Sequence, residues 1–271
     1  MDDIDRFLKE DLNKKGDITS ESIFTNEKVK AQINSKEDCI IAGLDEIKKV
    51  FKKTGANTKL LIKDGDFVKK DTIVAEINGP IRSILKGERL ALNILSRMSG
   101  IASETRDLVE KCKSINKNVK IAATRKTTPG FRKYEKKAVV IGGGEAHRYG
   151  LYDAIMIKDN HIKGIGSIEK AIKITKQKKL RKKIEIEVEN EKDAIIAAKM
   201  NIDTIMLDNF NPKKGKEIAE KIKKINSKII IELSGGINSD NIVSYAPYAD
   251  RISLGYITHS IKSKDFSLDI I

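Results

Sequence analysis

The sequence of 271 residues is 39% hydrophobic and 34% charged, which leaves enough apolar side chains for a core and excludes a wholly disordered chain. It has no apolar run of the ~20 residues that a membrane span requires, and its N-terminus, MDDIDRFLKEDL, is acidic and lacks a signal-peptide apolar segment, so a cytoplasmic protein with no membrane association is expected. The net charge of +14 raises nucleic acid as a partner, but the lysines fall in runs such as KITKQKKLRKK and KKGKEIAEKIKK that read as solvated helix faces, and the aromatics (5%) do not interleave with them, so no nucleic-acid partner is expected.

In chain order, Ile4, Phe7, Leu8 and Leu12 recur at helical spacing and predict a short amphipathic helix. Beyond it, β-type runs such as VKAQINS and TIVAEI are broken by turn signals at Asp64-Gly65 and Asn78-Gly79-Pro80. The segment LIKDGDFVKKDTIVAEINGPIRSIL is superficially like a biotinyl or lipoyl carrier hairpin. No lysine stands at the Asn-Gly-Pro tip to be modified, so the segment reads as scaffold. In ERLALNILSRMSGIASETRDLVEKCKS, Leu90, Ile94, Leu95 and Met98 share a helix face; a long helix, interrupted at Ser99-Gly100, is expected to link two halves of the chain. Cys39 and Cys112 are the only cysteines. They are far apart and form no CxxC pair, which supports neither a disulfide framework nor a thiolate zinc site.

After residue 118 the pattern becomes rhythmic. The apolar runs VKIAAT, DAIMIK, IEIEVE, DTIMLD, KIIIEL and DRISLG alternate with amphipathic stretches such as SIEKAIKITKQKKL, EKDAIIAAKM and GKEIAEKIKKI. Strand–helix repetition implies parallel strands with right-handed crossovers. No GxGxxG follows the first strand, which disfavours a dinucleotide-binding fold and leaves an open α/β barrel. Chemistry in such barrels sits at the C-terminal strand ends.

Those ends carry polar residues time after time. A cationic group comprises Arg125, Lys126, His147, Arg148 and Lys158, and implies a ligand with several negative charges, because such side chains repel one another without one. Arg132 and Lys133 read as separate surface pairs. An anionic pair, Glu187 and Asp208, suits Mg²⁺ or sugar hydroxyls; Glu185 and Glu189 share the strand parity of Glu187. Ser234-Gly235-Gly236 and Gly255 with the following residues to His259 form a candidate phosphate cradle, where backbone N–H groups and a helix N-terminus meet the anion. Gly142-Gly143-Gly144 reads as a loop that drapes His147 and Arg148 over a ligand, and His161 as structural.

The stretch TRKTTPGFRKYEKKAVVIGGGEAHRYGLYDAIMIKDNHI (residues 124–162) resembles the signature of the quinolinate phosphoribosyltransferases. EDLNKKGDITS, ERLALNILSRMSGIAS, EVEN, IMLDNF, ELSGGI and SLGYITHS resemble the same family in the same order, so the likeness covers nearly the whole chain. It implies a type II phosphoribosyltransferase fold, with an N-terminal α/β sandwich over residues 1–105, against which the tail 261–271 packs, and an open seven-stranded TIM-like α/β barrel over 106–260. It further implies phosphoribosyl transfer to quinolinate with decarboxylation, Mg²⁺ as cofactor, and a homodimer whose shared active site takes Arg89 from the neighbouring subunit. By the same resemblance Arg125, His147, Arg148 and Lys158 would surround quinolinate, and Lys126 would serve the anionic substrates. Glu187 and Asp208 would face ribose and Mg²⁺, and Ser234, Gly235, Gly255 and His259 would line the 5′-phosphate site. A phosphoribosyltransferase for a mono-acid such as nicotinate, and a paralogous group linked to molybdenum transport that shares the fold, are the alternatives.

Overall fold

The computed structural model describes residues 2–271. Helix α1 (Asp3–Leu12) begins in a reciprocal capping box: the Asp2 carboxylate accepts the Asp5 N–H at 2.9 Å, and the Asp5 carboxylate accepts the Asp2 N–H at 3.3 Å. Its apolar stripe buries Ile4 and Leu8, as the helical spacing predicts. After it come α2 (Ile18–Ile23), β1 (Lys28–Ser35), β2 (Cys39–Ile40), α3 (Leu44–Thr54), β3 (Asn57–Leu60), β4 (Phe67–Val68) and β5 (Ile73–Pro80). The Asp64-Gly65 turn braces the start of α3, because the Asp64 carboxylate accepts the N–H groups of Gly43 and Leu44 at 2.9 and 3.0 Å and so caps that helix from a distance. The chain continues through α4 (Ile81–Lys113), β6 (Lys120–Ala123), α5 (Arg132–Ile141), β7 (Ile155–Ile157), α6 (Asp159–Ile165), α7 (Ile168–Gln177), β8 (Ile184–Val188) and α8 (Glu191–Lys199). It ends with β9 (Thr204–Asp208), α9 (Pro212–Ile225), β10 (Ile230–Ser234), β11 (Arg251–Leu254), α10 (Tyr256–His259) and β12 (Phe266–Ile270).

Two compact units result. One comprises Met1–Arg106, Lys137–Gly142 and Ile261–Ile271, the other Asp107–Lys136 and Gly143–Ser260. In the first unit, a four-stranded sheet of order β12-β1-β5-β3 buries Ala31, Ile33, Val74, Ala75 and Ile77, and a two-stranded ribbon pairs β2 with β4. Residues 137–142 join this unit for reasons that composition hides. Lys137 Nζ lies 2.9 Å from the Glu46 carboxylate and 3.8 Å from that of Asp64, and a Cβ on Gly142 would fall 2.6 Å from the Ala102 carbonyl oxygen.

Two sequence expectations fail in this unit. Asn78-Gly79-Pro80 is not a turn but the end of β5, with Asn78 paired to both Lys30 and Asn57. Gly79 is there because the backbone of Ala56 passes 3.0 Å from where its Cβ would stand. Ser99-Gly100 does not interrupt the long helix: α4 runs unbroken for 33 residues. A Cβ on Gly100 would collide with the carbonyl oxygen of Lys262, so the glycine answers to packing rather than to a break.

In the second unit all six apolar runs form strands of one parallel sheet, in the order β6-β11-β10-β9-β8-β7. The expected seventh strand shrinks to one residue. Glu145 bridges Ala122 in parallel, its N–H donating to the Ile121 carbonyl at 2.7 Å, and the Gly142–Gly144 sequence before it supplies no β run to extend the pairing. Strands β8 to β11 alternate strictly: Ile186, Ile205, Ile231 and Ile252 are fully buried on one face, while Glu187, Asp208, Ser234 and Ser253 occupy the other. Asn190 and Asn211, just past their strands, are N-caps of α8 and α9, accepting the N–H of Asp193 and Lys214 at 2.9 Å each. Part of the strand-end polarity is therefore capping rather than chemistry.

Candidate active site

A cavity of about 660 Å³ opens at the C-terminal ends of the parallel strands. Every candidate residue except Arg89 lines it: Arg125, Lys126, His147, Arg148, Lys158, Glu187, Asp208, Ser234, Gly235, Gly236, Gly255 and His259. Arg89 is an exposed residue of α4 in the first unit and is not among the described residues that line this cavity.

The cations are arranged by the loops after β6 and β7 and by the segment following Glu145. Arg125 Nε is buried without a protein partner, a state that a bound anion would relieve. Burial, and next the charge of Arg125, push Arg148 below the ordinary arginine range, which is the mutual repulsion expected of such a group. One Arg148 nitrogen lies 3.0 Å from Met156 Sδ, and Met156 and Met206 provide apolar lining. Arg132 is not the surface ion pair the sequence suggested: its Nε donates to Thr127 Oγ1 at 2.9 Å and its Nη1 to the Tyr149 carbonyl at 3.0 Å. It ties together the two loops that carry the cations. Lys136, fully buried, donates to the Ala146 carbonyl one residue before His147.

Lys158 Nζ is paired with the Glu187 carboxylate, so one cation and one anion already balance across β7 and β8. At Asp208, burial and then the neighbouring Glu187 raise the carboxyl above the usual range against the opposing pull of Lys158 and a hydrogen bond from Ser234, and Asn209 Nδ2 donates to it at 2.6 Å. Two adjacent carboxylates of this kind fit a hard cation that keeps water and substrate oxygens in its shell.

The cradle is shaped by what its glycines must admit. Gly235 has φ +86°, and the Asn209 side chain fills the space a Cβ would need. At Gly255 a Cβ would stand 2.9 Å from the Lys126 stem and 3.1 Å from His259 Nε2, so this glycine lets Lys126 reach the cavity. Thr258 Oγ1 donates to the Lys126 carbonyl at 2.7 Å, which locks cradle and cation loop together. The helix that follows, α10, has four residues, so its dipole is slight. His161 behaves structurally, its Nδ1 accepting the Lys158 N–H at 2.9 Å.

His147 departs from the expectation of a simple ligand-facing cation. Its Nε2 lies 3.3 Å from Glu185 and 3.4 Å from Glu232, both buried. Burial alone would lower its pKa, but hydrogen bonds to Glu185 and Glu232 override that and raise it to about 9. Sequence reading missed Glu232, Arg251 and Asn209. A signal existed: a charge in mid-strand, as in KIIIEL, is out of place in a parallel sheet whose strands are normally apolar throughout.

Comparison with known proteins places this arrangement. Family descriptions "Quinolinate phosphoribosyl transferase, N-terminal domain" and "Quinolinate phosphoribosyl transferase, C-terminal domain" match residues 17–99 and 101–269. The chain is 47% identical to a Methanocaldococcus jannaschii protein named probable nicotinate-nucleotide pyrophosphorylase (carboxylating), over 94% of this chain and 92% of that one. It is 44% identical to a protein of the same name from Archaeoglobus fulgidus, over 94% and 98%. The crystal structure of nicotinate-nucleotide pyrophosphorylase from Ehrlichia chaffeensis superposes with a TM-score of 0.93 at 39% identity, covering 99% of this chain and 97% of that one. With both of its halves matched, and with relatives 44% and 47% identical over nearly their whole lengths, the chain belongs to the quinolinate phosphoribosyltransferase family.

Proposed function

We propose that this protein transfers the phosphoribosyl group of phosphoribosyl pyrophosphate to quinolinate and releases the 2-carboxylate as CO₂, giving nicotinate mononucleotide and pyrophosphate, a step of NAD biosynthesis. One observation carries the reading: Arg125, Arg148, Lys126 and Lys158 converge on a single cavity, and the Arg125 Nε is buried without a partner. A dicarboxylate and a polyphosphate ester are the ligands such a cavity suits. Arg125 and Arg148 would hold the two quinolinate carboxylates, and the Ser234–Gly236 and Gly255 backbone would hold the 5′-phosphate. The pyridine nitrogen then attacks ribose C1 as the C1–O bond to pyrophosphate breaks, and Lys126 stabilises the departing charge. Loss of CO₂ leaves its electron pair on C2 beside the pyridinium nitrogen, and a proton then takes the place of the carboxylate. Positioning by paired cations supplies much of the rate.

Glu187 and Asp208 are the residues that would hold Mg²⁺, which when bound neutralises pyrophosphate charge. The working assembly is a homodimer in which Arg89 of the partner subunit completes each site, and the setting is the cytoplasm. The test is direct. Protein incubated with quinolinate, phosphoribosyl pyrophosphate and Mg²⁺ yields nicotinate mononucleotide and labelled CO₂. Turnover of nicotinate without CO₂ release would instead identify a mono-acid enzyme. Arg125→Ala should lower kcat/KM roughly 100-fold, mostly through KM for quinolinate, as loss of one partner of a buried charge contact does; wild-type kinetics in that variant would remove Arg125 from the site.

A further inference from the structure

Beneath the cavity, β8, β10 and β11 carry charges where parallel strands normally carry aliphatic side chains. Glu232 is fully buried. It accepts from Arg251 Nη1 at 3.0 Å and from Ser253 Oγ at 2.5 Å, and faces His147 Nε2 at 3.4 Å. Glu185 faces the same nitrogen at 3.3 Å, and Arg251 Nε donates to Glu145 at 3.0 Å. A continuous chain, Glu145–Arg251–Glu232–His147–Glu185, thus crosses the interior of the second unit. Neither Glu185 nor Glu232 lines the upper cavity, whereas His147 does. Whatever these two acids do for a ligand there is indirect: the imidazole is their hydrogen-bonded link to the cavity, and their charge also favours the Arg148 guanidinium.

Stability alone is a poor reason for the network, since burying carboxylates costs several kcal/mol per ion and well-packed apolar side chains often serve as well. His147 is, moreover, held at φ +52°, a region that non-glycine residues seldom occupy. The Lys136 ammonium, bonded to the Ala146 carbonyl, secures the chain just ahead of it. The groups facing His147 are Glu185 from β8 and Glu232 from β10. Arg251 from β11 reaches it only through Glu232, and Arg125, Arg148, Lys126 and Lys158 are the cations that share its cavity, with Lys158 paired to Glu187.

We infer that Glu232, supported by Glu185, is a positioning residue that holds the His147 imidazolium in place as a further fixed cation beside Arg125 and Arg148, and so sets the preference of the site for a dicarboxylate over a monocarboxylate. The inference rests on the reading of quinolinate as substrate. The raised His147 pKa accords with it: the nitrogen shared by two glutamates is a donor across the neutral range. The same three side chains bring ligand atoms within 4.8 Å of one another and so resemble a divalent-metal site. Arg251 and Ser253 already occupy the Glu232 oxygens, which argues for the ion-pair reading.

Steady-state kinetics of the wild type and Glu232→Gln, at pH 6 and pH 8, decide it. The glutamine keeps the shape and removes the charge. At pH 8 the variant should show a quinolinate KM raised about 10-fold, with kcat and the phosphoribosyl pyrophosphate KM little changed; at pH 6 the gap should narrow, because the lower pH supplies the proton that the lost carboxylate no longer secures. Glu232→Asp should restore part of the loss at pH 8. An unchanged KM at pH 8, an equal loss at both pH values, or a loss confined to kcat would overturn the inference. If Glu232→Gln fails to fold, Glu185→Gln should give the same pH-dependent split, and an unchanged KM there overturns it equally. Nitrogen NMR of histidine-labelled wild type needs no variant: one of the 3 histidines should remain an imidazolium at pH 8, and three neutral rings would refute the proposal. A bound transition metal in the purified wild type that Glu232→Gln loses would likewise refute it. Failure of the wild type to make nicotinate mononucleotide would fall on the substrate reading, while the NMR result would still decide the state of His147.

Discussion

His147 and Lys136 show how single residues give this protein opposite responses to pH. His147 titrates near 9 in the fold, above its unfolded value, so the native state binds more protons between about 6.5 and 9. Its stabilising contribution is complete below the unfolded value and is lost as pH climbs through the folded one. Lys136 is the reverse: burial, and next the charge of Arg132, hold its ammonium down to about 8, so the unfolded chain binds more protons between about 8 and 10.4 and that contribution grows with pH. Stability should therefore fall most clearly between about pH 6.5 and 8, where only the histidine acts. Thermal melts across that range should show the decline in the wild type and a flatter profile in His147→Gln; parallel profiles would contradict the assigned pKa. Neither response was legible in the sequence. His147 was visible as a cation near Arg148, but its carboxylate partners lie 38 and 85 residues away (Glu185 and Glu232), and only folding brings them to it.

At the level of elements, periodicity was a sound guide and glycine a poor one. The apolar runs became strands because alternation and length left no other economical burial, and the amphipathic stretches between them became α7, α8 and α9. Gly100 and Gly79 were misread because a glycine signals either a break or a close approach, and the second depends on a neighbour distant in sequence. This distinction is testable. Gly100→Ala would gain about 1 kcal/mol of helix propensity if the site were open. With the Lys262 carbonyl in the way, it should instead destabilise by roughly 1–3 kcal/mol, as overpacked positions do. Urea denaturation measures the sign, and a stabilised variant would show that the close approach is absent. The strand-end residues were more legible than the glycines because position alone selects them. Even so, Asn190 and Asn211 turned out to be helix caps, a use that the sequence pattern does not separate from a ligand role.

For the whole molecule, the proposed dimer carries the remaining prediction. Arg89 lies outside the unit that holds the candidate site, and the proposed assembly puts it in the site of a neighbouring subunit. Arg89→Ala and Asp208→Ala should each be inactive alone, yet co-refolded mixtures should recover about a quarter of wild-type activity, since each mixed dimer of a two-fold assembly regains one intact site. No recovery would count against a shared site. The sequence by itself determined the class of fold, the strand–helix rhythm and the charged residues and glycines that line the cavity, because burial periodicity and the position of chemistry at strand ends are local properties that a linear pattern records. The tertiary structure alone decided which cations are free and which are neutralised, why particular glycines are required, that the expected seventh strand is a single bridge, and that His147 is clasped by two buried acids. Those features depend on distances between segments far apart in the chain, and a linear pattern holds no distances.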